Sequence, residues 1–158
     1  MERLALAYVV AGFLMFHRDT DLAWAAGIID GEGCISLNNE HRVQYLLRIS
    51  VTNTDLRMLT RLRDLFGGSV CGPLKRYKVH HKDRWVWDIK ASKAESAIRA
   101  MFPYFVTKKQ EAELGLQARA LIGKVGSNHN PNREQLAWLK GQLSSLKGHQ
   151  RAPKEEPV

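Results

Sequence analysis

Two acids flanking a glycine, Asp30 and Glu32, close a run of small and apolar residues, Leu22-Ala-Trp-Ala-Ala-Gly-Ile-Ile-Asp30. The run predicts a helix over Leu22–Asp30, capped at its start by Thr20 or Asp21 and ended by Gly31 and Gly33. Carboxylates are electrostatically unfavourable at a helix C-terminus, where the negative end of the dipole and unbonded carbonyls already lie. A divalent cation reverses that penalty, because Mg²⁺ takes carboxylate, carbonyl and water oxygens and bridges readily to phosphate. Glu32, between two glycines and beside the Gly31 carbonyl, is the better ligand; Asp30 could instead cap a neighbouring turn. The same helix carries Ala23, Ala26, Gly27 and Gly31 as small residues, with Gly27 and Gly31 one turn apart on one face. A glycine within a helix costs about 1 kcal/mol relative to alanine. Close packing against another backbone would offset that cost, and a small-residue core helix is the plainer alternative.

These residues need a frame to hold them. Cys34–Asn39 and Gln44–Asn53 read as two strands about a turn at Asn39–Arg42. In the second, Tyr45, Leu47, Ile49 and Val51 alternate with a mostly polar set. Asp55 caps a helix bearing Leu56, Leu59, Leu62 and Leu65, stopped by Gly67-Gly68. A second hairpin, Ser69–Lys78 with Arg84–Lys90, has a basic tip. Trp85, Trp87 and Ile89 share one of its faces, which suits core packing better than base contact. His80 and His81 are adjacent and read as loop residues. Helices follow from Ser92 to about Phe102, broken by Pro103; from a Thr107 cap to about Ile122; and over Arg133–Leu146. The order helix–strand–strand–helix–strand–strand–helix–helix–helix is an α+β plan, an antiparallel sheet with helices on one face.

The chain has 158 residues and a net charge of +8. That charge is uneven: −3 over residues 1–39, +7 over 40–100 and +4 over 101–158. A basic middle and a pI near 9.7 point to a polyanionic partner. Two cysteines, Cys34 and Cys71, exclude a disulfide scaffold and a structural zinc site, and make a reducing, intracellular compartment the expectation. The uncharged run Leu4–Phe16 is shorter than the ~20 residues that span a bilayer. It resembles the apolar part of a secretion signal, but cleavage near Ala23–Ala25 would cut the helix described above, so secretion is not expected. The expected organisation is an apolar extension over 1–19, one domain over 20–147 and a disordered tail over 148–158.

The segment Ala26-Gly-Ile-Ile-Asp-Gly-Glu-Gly33, with Cys34-Ile35 beginning the next strand, closely resembles the signature of the LAGLIDADG homing endonucleases. The resemblance covers roughly residues 20–122 and implies that family's αββαββα core, a β-sheet saddle covered by helices. The motif occurs once, which resembles the single-motif class whose members act as homodimers. By that resemblance Glu32 holds a divalent metal, Mg²⁺ with Mn²⁺ as a substitute. Asn53 falls where the family places a side chain that positions the attacking water, and Arg57 matches a basic residue of the solvent network. Lys108 matches the active-site lysine, with Lys109 a near second choice. The pairing helix would use Ala23, Ala26, Gly27 and Asp30. The outward polar residues Ser36, Asn38, Arg48, Ser50 and Thr52 would meet base edges, and Lys75, Arg76, Lys78, Lys82 and Arg84 of the hairpin would meet phosphates or bases. The implied partner is double-stranded DNA, with no membrane and no small-molecule substrate. The implied reaction is a metal-dependent staggered double-strand break; a non-cleaving DNA binder on the same fold and an RNA maturase are the alternatives.

Overall fold

The computed structural model describes residues 17–40, 44–74, 82–122 and 130–148. The Leu4–Phe16 run, the basic tip with Lys75, Arg76 and Lys78, and the expected tail from 149 lie outside them. Helix α1 spans Asp19–Glu32, followed by strands β1 (Gly33–Glu40) and β2 (Gln44–Asn53), helix α2 (Leu56–Phe66), and strands β3 (Ser69–Cys71) and β4 (Trp85–Lys90). Helices α3 (Ala91–Met101), α4 (Lys109–Leu121) and α5 (Arg133–Gly148) complete the described chain, with a 3₁₀ turn at Phe102–Tyr104. The order matches the α+β expectation.

The four strands form one antiparallel sheet in the order β1-β2-β4-β3. Period-2 alternation sorts its two faces. Ile35, Leu37, Tyr45, Leu47, Ile49, Val51, Trp87 and Ile89 are buried under the helices. Trp87 is fully buried and donates its indole N–H to the Gly67 carbonyl at 2.9 Å, so the core tryptophan is satisfied. A smaller cluster of Leu37, Tyr45, Ala118, Leu136, Leu139 and Leu143 seats α5 against α4 and β1.

Several boundaries differ from the sequence expectation. Helix α1 begins earlier, because the amides of Asp21 and Leu22 already bond the Arg18 carbonyl; Thr20 and Asp21 are therefore inside the first turn, not capping it. The helix also runs through Gly31 and Glu32, and stops only at Gly33, whose N–H donates to the Ile29 carbonyl. Strand β3 is shorter than Ser69–Lys78 within the described residues: Pro73 has no N–H to give the ladder, and a single Leu74 N–H to Arg84 carbonyl bond of 2.8 Å continues the pairing. Helix α3 begins at Ala91, one residue before Ser92, and Pro103 sits inside the 3₁₀ turn. Asp55 caps α2 as expected, accepting the Arg57 N–H at 2.9 Å, and Gly67 and Gly68 end it at φ of +73° and +88°.

Gly33 makes the sharp passage from α1 into β1 possible. A Cβ there would lie 2.7 Å from the Ile29 Cα and 2.8 Å from its carbonyl oxygen, atoms of a rigid helix. Gly33→Ala should therefore lower stability by about 1–3 kcal/mol, read as a fall in the urea midpoint at unchanged slope.

Candidate active site

The end of α1 is tied to a segment far along the chain. The Asp30 carboxylate accepts the backbone N–H of Val106 at 2.8 Å and of Lys108 at 2.9 Å, one on each oxygen. The Asp30 carbonyl, one of those left unbonded at a helix end, accepts the Lys108 Nζ at 2.9 Å and the Thr107 hydroxyl at 3.3 Å. Asp30 is thus the cap of a neighbouring turn, the alternative left open above. It holds the 106–108 loop and sets Lys108 two residues from Glu32. Thr107, expected to cap α4, does not; the N-cap position is Lys108, and the Thr107 hydroxyl is drawn to α1 instead.

Glu32 is the last residue of α1 and is exposed. The sheet register pairs Gly33 with Val51, so Asn53, two residues further along at the end of β2 and paired there with Trp85 of β4, lies past the Gly33 level on the side where α1 ends. The Asn53 Oδ1 accepts the Asp55 N–H at 2.9 Å, which fixes the side chain and leaves its NH₂ group for other work. Glu32, Asn53 and Lys108 therefore come to one end of the sheet. Arg57 differs. Its guanidinium forks onto Asp55 at 3.0 and 2.8 Å and is 93% exposed. It lines an open groove of about 510 Å³ with Thr54, Asp55, Leu56, Lys82, Asp83 and Trp85. Among the described residues it has no hydrogen bond or ion pair with Glu32, Asn53 or Lys108. Lys109, the second choice for the lysine, turns instead to the Phe102 ring, 5.4 Å from its centroid.

The α1 surface corrects one expectation. Ala26 was expected on the pairing face but is completely buried in the core with Leu22, Ala25 and Ile29; at 3.6 residues per turn these share one side. The Asp30 carboxylate is likewise spent inside its own chain. Ala23, Gly27 and Gly31 are the exposed stripe, and a Cβ on Gly27 or Gly31 would meet nothing within 4 Å. Ser36, Asn38, Arg48 and Ser50 are half-exposed and Thr52 exposed, all on the face opposite the core, while Lys82 and Arg84 stand in the segment leading into β4.

Comparison with known proteins bears on the family and the fold. A family model described as LAGLIDADG endonuclease matches residues 25–113, more than half of the chain. The chain belongs to the LAGLIDADG endonuclease family. Among its relatives in that family, the DNA endonuclease I-CvuI of Chlorella vulgaris is 27% identical over 122 residues, covering 74% of this chain and 73% of that protein. The solved I-CvuI, in complex with the I-CreI target and 2 mM Mg with the DNA not cleaved, superposes at a TM-score of 0.67 with 19% identity, over 90% of this chain and 88% of that one. An archaeal intron-encoded homing endonuclease, I-Vdi141I complexed with DNA, gives 0.64 with 14% identity over 89% and 91%. I-SmaMI bound to cleaved DNA gives 0.56 with 21% identity, over 87% of this chain but 50% of that one. Membership of this family makes the protein an endodeoxyribonuclease of α+β homing-endonuclease fold.

Sequence reasoning singled out Glu32, Asn53 and Lys108 as candidates but missed the partners of Asp30, because Val106 and Lys108 are 76 and 78 residues away in the chain. Two measurements check the site. In Asp30→Ala the amides of Val106 and Lys108 should exchange with solvent at least tenfold faster, as each loses its acceptor. Separately, the Arg57 fork and backbone N–H bonds pull the Asp55 carboxyl from 3.8 down to about 2. A depressed carboxyl favours the folded state above its ordinary pKa and loses that contribution as pH falls toward 2. The Asp55 carboxyl shift in an NMR titration should have its midpoint near 2, and should move up toward 3.8 in Arg57→Ala.

Proposed function

We propose that this endonuclease works as a homodimer that hydrolyses one phosphodiester on each strand of a long, roughly palindromic DNA site, leaving a staggered break with short 3′ overhangs. The observation that carries the reading is the juxtaposition at the end of α1: an exposed carboxylate, Glu32, beside a lysine locked in place by Asp30, on a helix whose outer stripe is small and open. Two copies of α1 would meet along Ala23, Gly27 and Gly31 about a two-fold axis, an isologous contact that sets both Glu32 side chains side by side.

The donor set fits a divalent cation held between copies. Among the described residues no three His, Cys, Asp or Glu side chains gather as a complete metal site. One chain offers the Glu32 carboxylate and the Gly31 carbonyl, hard oxygens suited to Mg²⁺ or Mn²⁺, and a second copy and the DNA phosphate would supply the rest. When bound, the ion polarises the scissile phosphate and lowers the pKa of a bound water. The chain's own residues do the remainder. Asn53, its carbonyl oxygen fixed by the Asp55 amide, would orient the water through its NH₂ group. Lys108, held against the Asp30 carbonyl, would face the charge developing on phosphate. Arg57, out in the groove with Lys82, is placed to neutralise a neighbouring phosphate rather than to reach the metal.

Size supports pairing. A domain of this length has a radius of gyration of about 15 Å, so it covers on the order of 10 base pairs at ~3.4 Å each. The I-SmaMI chain, which this chain matches over 50% of its length, has room for two such units in one polypeptide. The outward sheet face, with Ser36, Asn38, Arg48, Ser50 and Thr52, would enter the major groove, and half-sites would mirror the two-fold symmetry. Lys82 and Arg84, in the segment leading into β4, would reach the flanks of the site. Among the described residues no helix is long and apolar enough to cross a membrane.

Incubating the purified protein with Mg²⁺ and a plasmid carrying its empty insertion locus should linearise the plasmid. Glu32→Gln should abolish cleavage while retaining binding, and Lys108→Ala should slow it by about 10²–10³-fold. Binding without cleavage by the unsubstituted protein at every candidate site would refute the nuclease mechanism. A monomer on DNA by gel filtration would refute pairing.

A further inference from the structure

The outward face of the sheet carries an acid where a DNA-binding surface should avoid one. Asp88 lies on β4 at the middle of that face, paired across to Ser50 on β2 and Ser69 on β3. A carboxylate facing a polyanion costs binding unless something offsets it. Both of its oxygens are occupied by its own chain. The Arg48 Nε–H donates to Oδ2 at 3.1 Å, and the Ser69 hydroxyl donates to Oδ1 at 2.9 Å. The Asp88 side chain is only 15% exposed, and that of Arg48 is 31% exposed.

We propose that Asp88, itself oriented by Ser69, is a positioning residue that sets Arg48 to read a guanine in each half-site. The inference rests on the reading that this face enters the major groove. A guanidinium has five N–H donors, and gripping it at Nε leaves the two terminal nitrogens of this partly exposed side chain available to a group outside the chain. Among the described residues those nitrogens have no partner. Their spacing matches the paired acceptors O6 and N7, which only guanine presents in the major groove. Position favours a base over a phosphate. β2 is an interior strand, so Arg48 lies toward the middle of the face, where base edges are, and not at the rims where phosphates run. The bond to Asp88 also cancels much of the arginine's charge, which weakens it as a phosphate contact while leaving its hydrogen-bond geometry intact. Arg48 is three residues along β2 from Val51, the partner of Gly33. At ~3.3 Å per residue that is about 10 Å from the level of Glu32, or roughly three base pairs of rise.

The test is selection from a randomised duplex DNA library with Ca²⁺ in place of Mg²⁺, sequencing the bound pool for the full chain, Arg48→Lys, Asp88→Asn and Asp88→Ala. The unsubstituted protein should enrich guanine at one position in each half-site. Arg48→Lys keeps the charge but loses the fork, and should cut that preference roughly tenfold or more while other positions stay unchanged. Both Asp88 variants should weaken the same position; the isosteric Asp88→Asn guards against a folding defect. A structured profile that Arg48→Lys leaves unaltered would overturn the proposal alone. So would a uniform loss of affinity across all positions with a shallower salt dependence, the signature of a phosphate contact. A protein that enriches no sequence at all would overturn both this proposal and the site-specific nuclease reading.

Discussion

One carboxylate ties the end of α1 to a distant loop. Asp30 accepts two backbone N–H groups from a loop 76 and 78 residues away, while its carbonyl takes the ammonium of Lys108. An acid at a helix C-terminus is unfavourable in isolation, because the dipole's negative end and the unbonded carbonyls repel it. Two amide donors and one ammonium reverse the balance locally. The loop in turn begins α4, which covers β1 and β2 and helps form the seat for α5. Half-buried and doubly bonded, Asp30 is a fastening, which leaves the next acid, Glu32, exposed and, among the described residues, without a hydrogen-bond partner. The pair thus divides two roles that the sequence places only two residues apart.

The same economy governs the faces of α1 and of the sheet. Helical period separates Leu22, Ala25, Ala26 and Ile29, buried in the core, from Ala23, Gly27 and Gly31, which are open to solvent. The buried side supplies stability; the open side has so little side chain that a second helix could approach almost to backbone contact. Strand period separates a fully apolar layer beneath the helices from a polar layer on the opposite face. The polar layer is not merely basic: Arg48 is bonded to Asp88 and Asp88 to Ser69, so its side chains are pre-set in direction. Charge draws a protein to DNA without regard to sequence, whereas fixed donors discriminate between bases. The sheet carries both components.

How much of this could be read from the residues depended on the reach of the interaction concerned. The Asp55 cap, the Gly67-Gly68 stop, and the parity of Tyr45, Leu47, Ile49 and Val51 were legible, because each is decided by neighbours within a turn or by strand alternation. Trp85 and Trp87 were correctly assigned to the core side by sharing a face with Ile89. Thr107 failed as a cap because a distant helix end competes for its hydroxyl, and Thr20 and Asp21 failed because the helix closes onto Arg18 before reaching them. Ala26 failed because smallness alone does not say which side of a helix meets the core.

By itself the sequence determined the order of helices and strands, the two faces of the sheet, the acid-glycine-acid ending of α1 and the family it belongs to. All of these are local periods or contiguous motifs, written within a few residues. Only the tertiary structure decided that Asp30 binds a loop while Glu32 stays free of it, that Lys108 and not Lys109 lies against the end of α1, that Arg57 faces a groove with Lys82, and that Asp88 grips Arg48. These are pairings between segments tens of residues apart, and the chain's order carries no local signal for them. They exist because burying one continuous apolar layer leaves a single arrangement of helices over the sheet, and that arrangement brings the remaining polar groups within bonding distance.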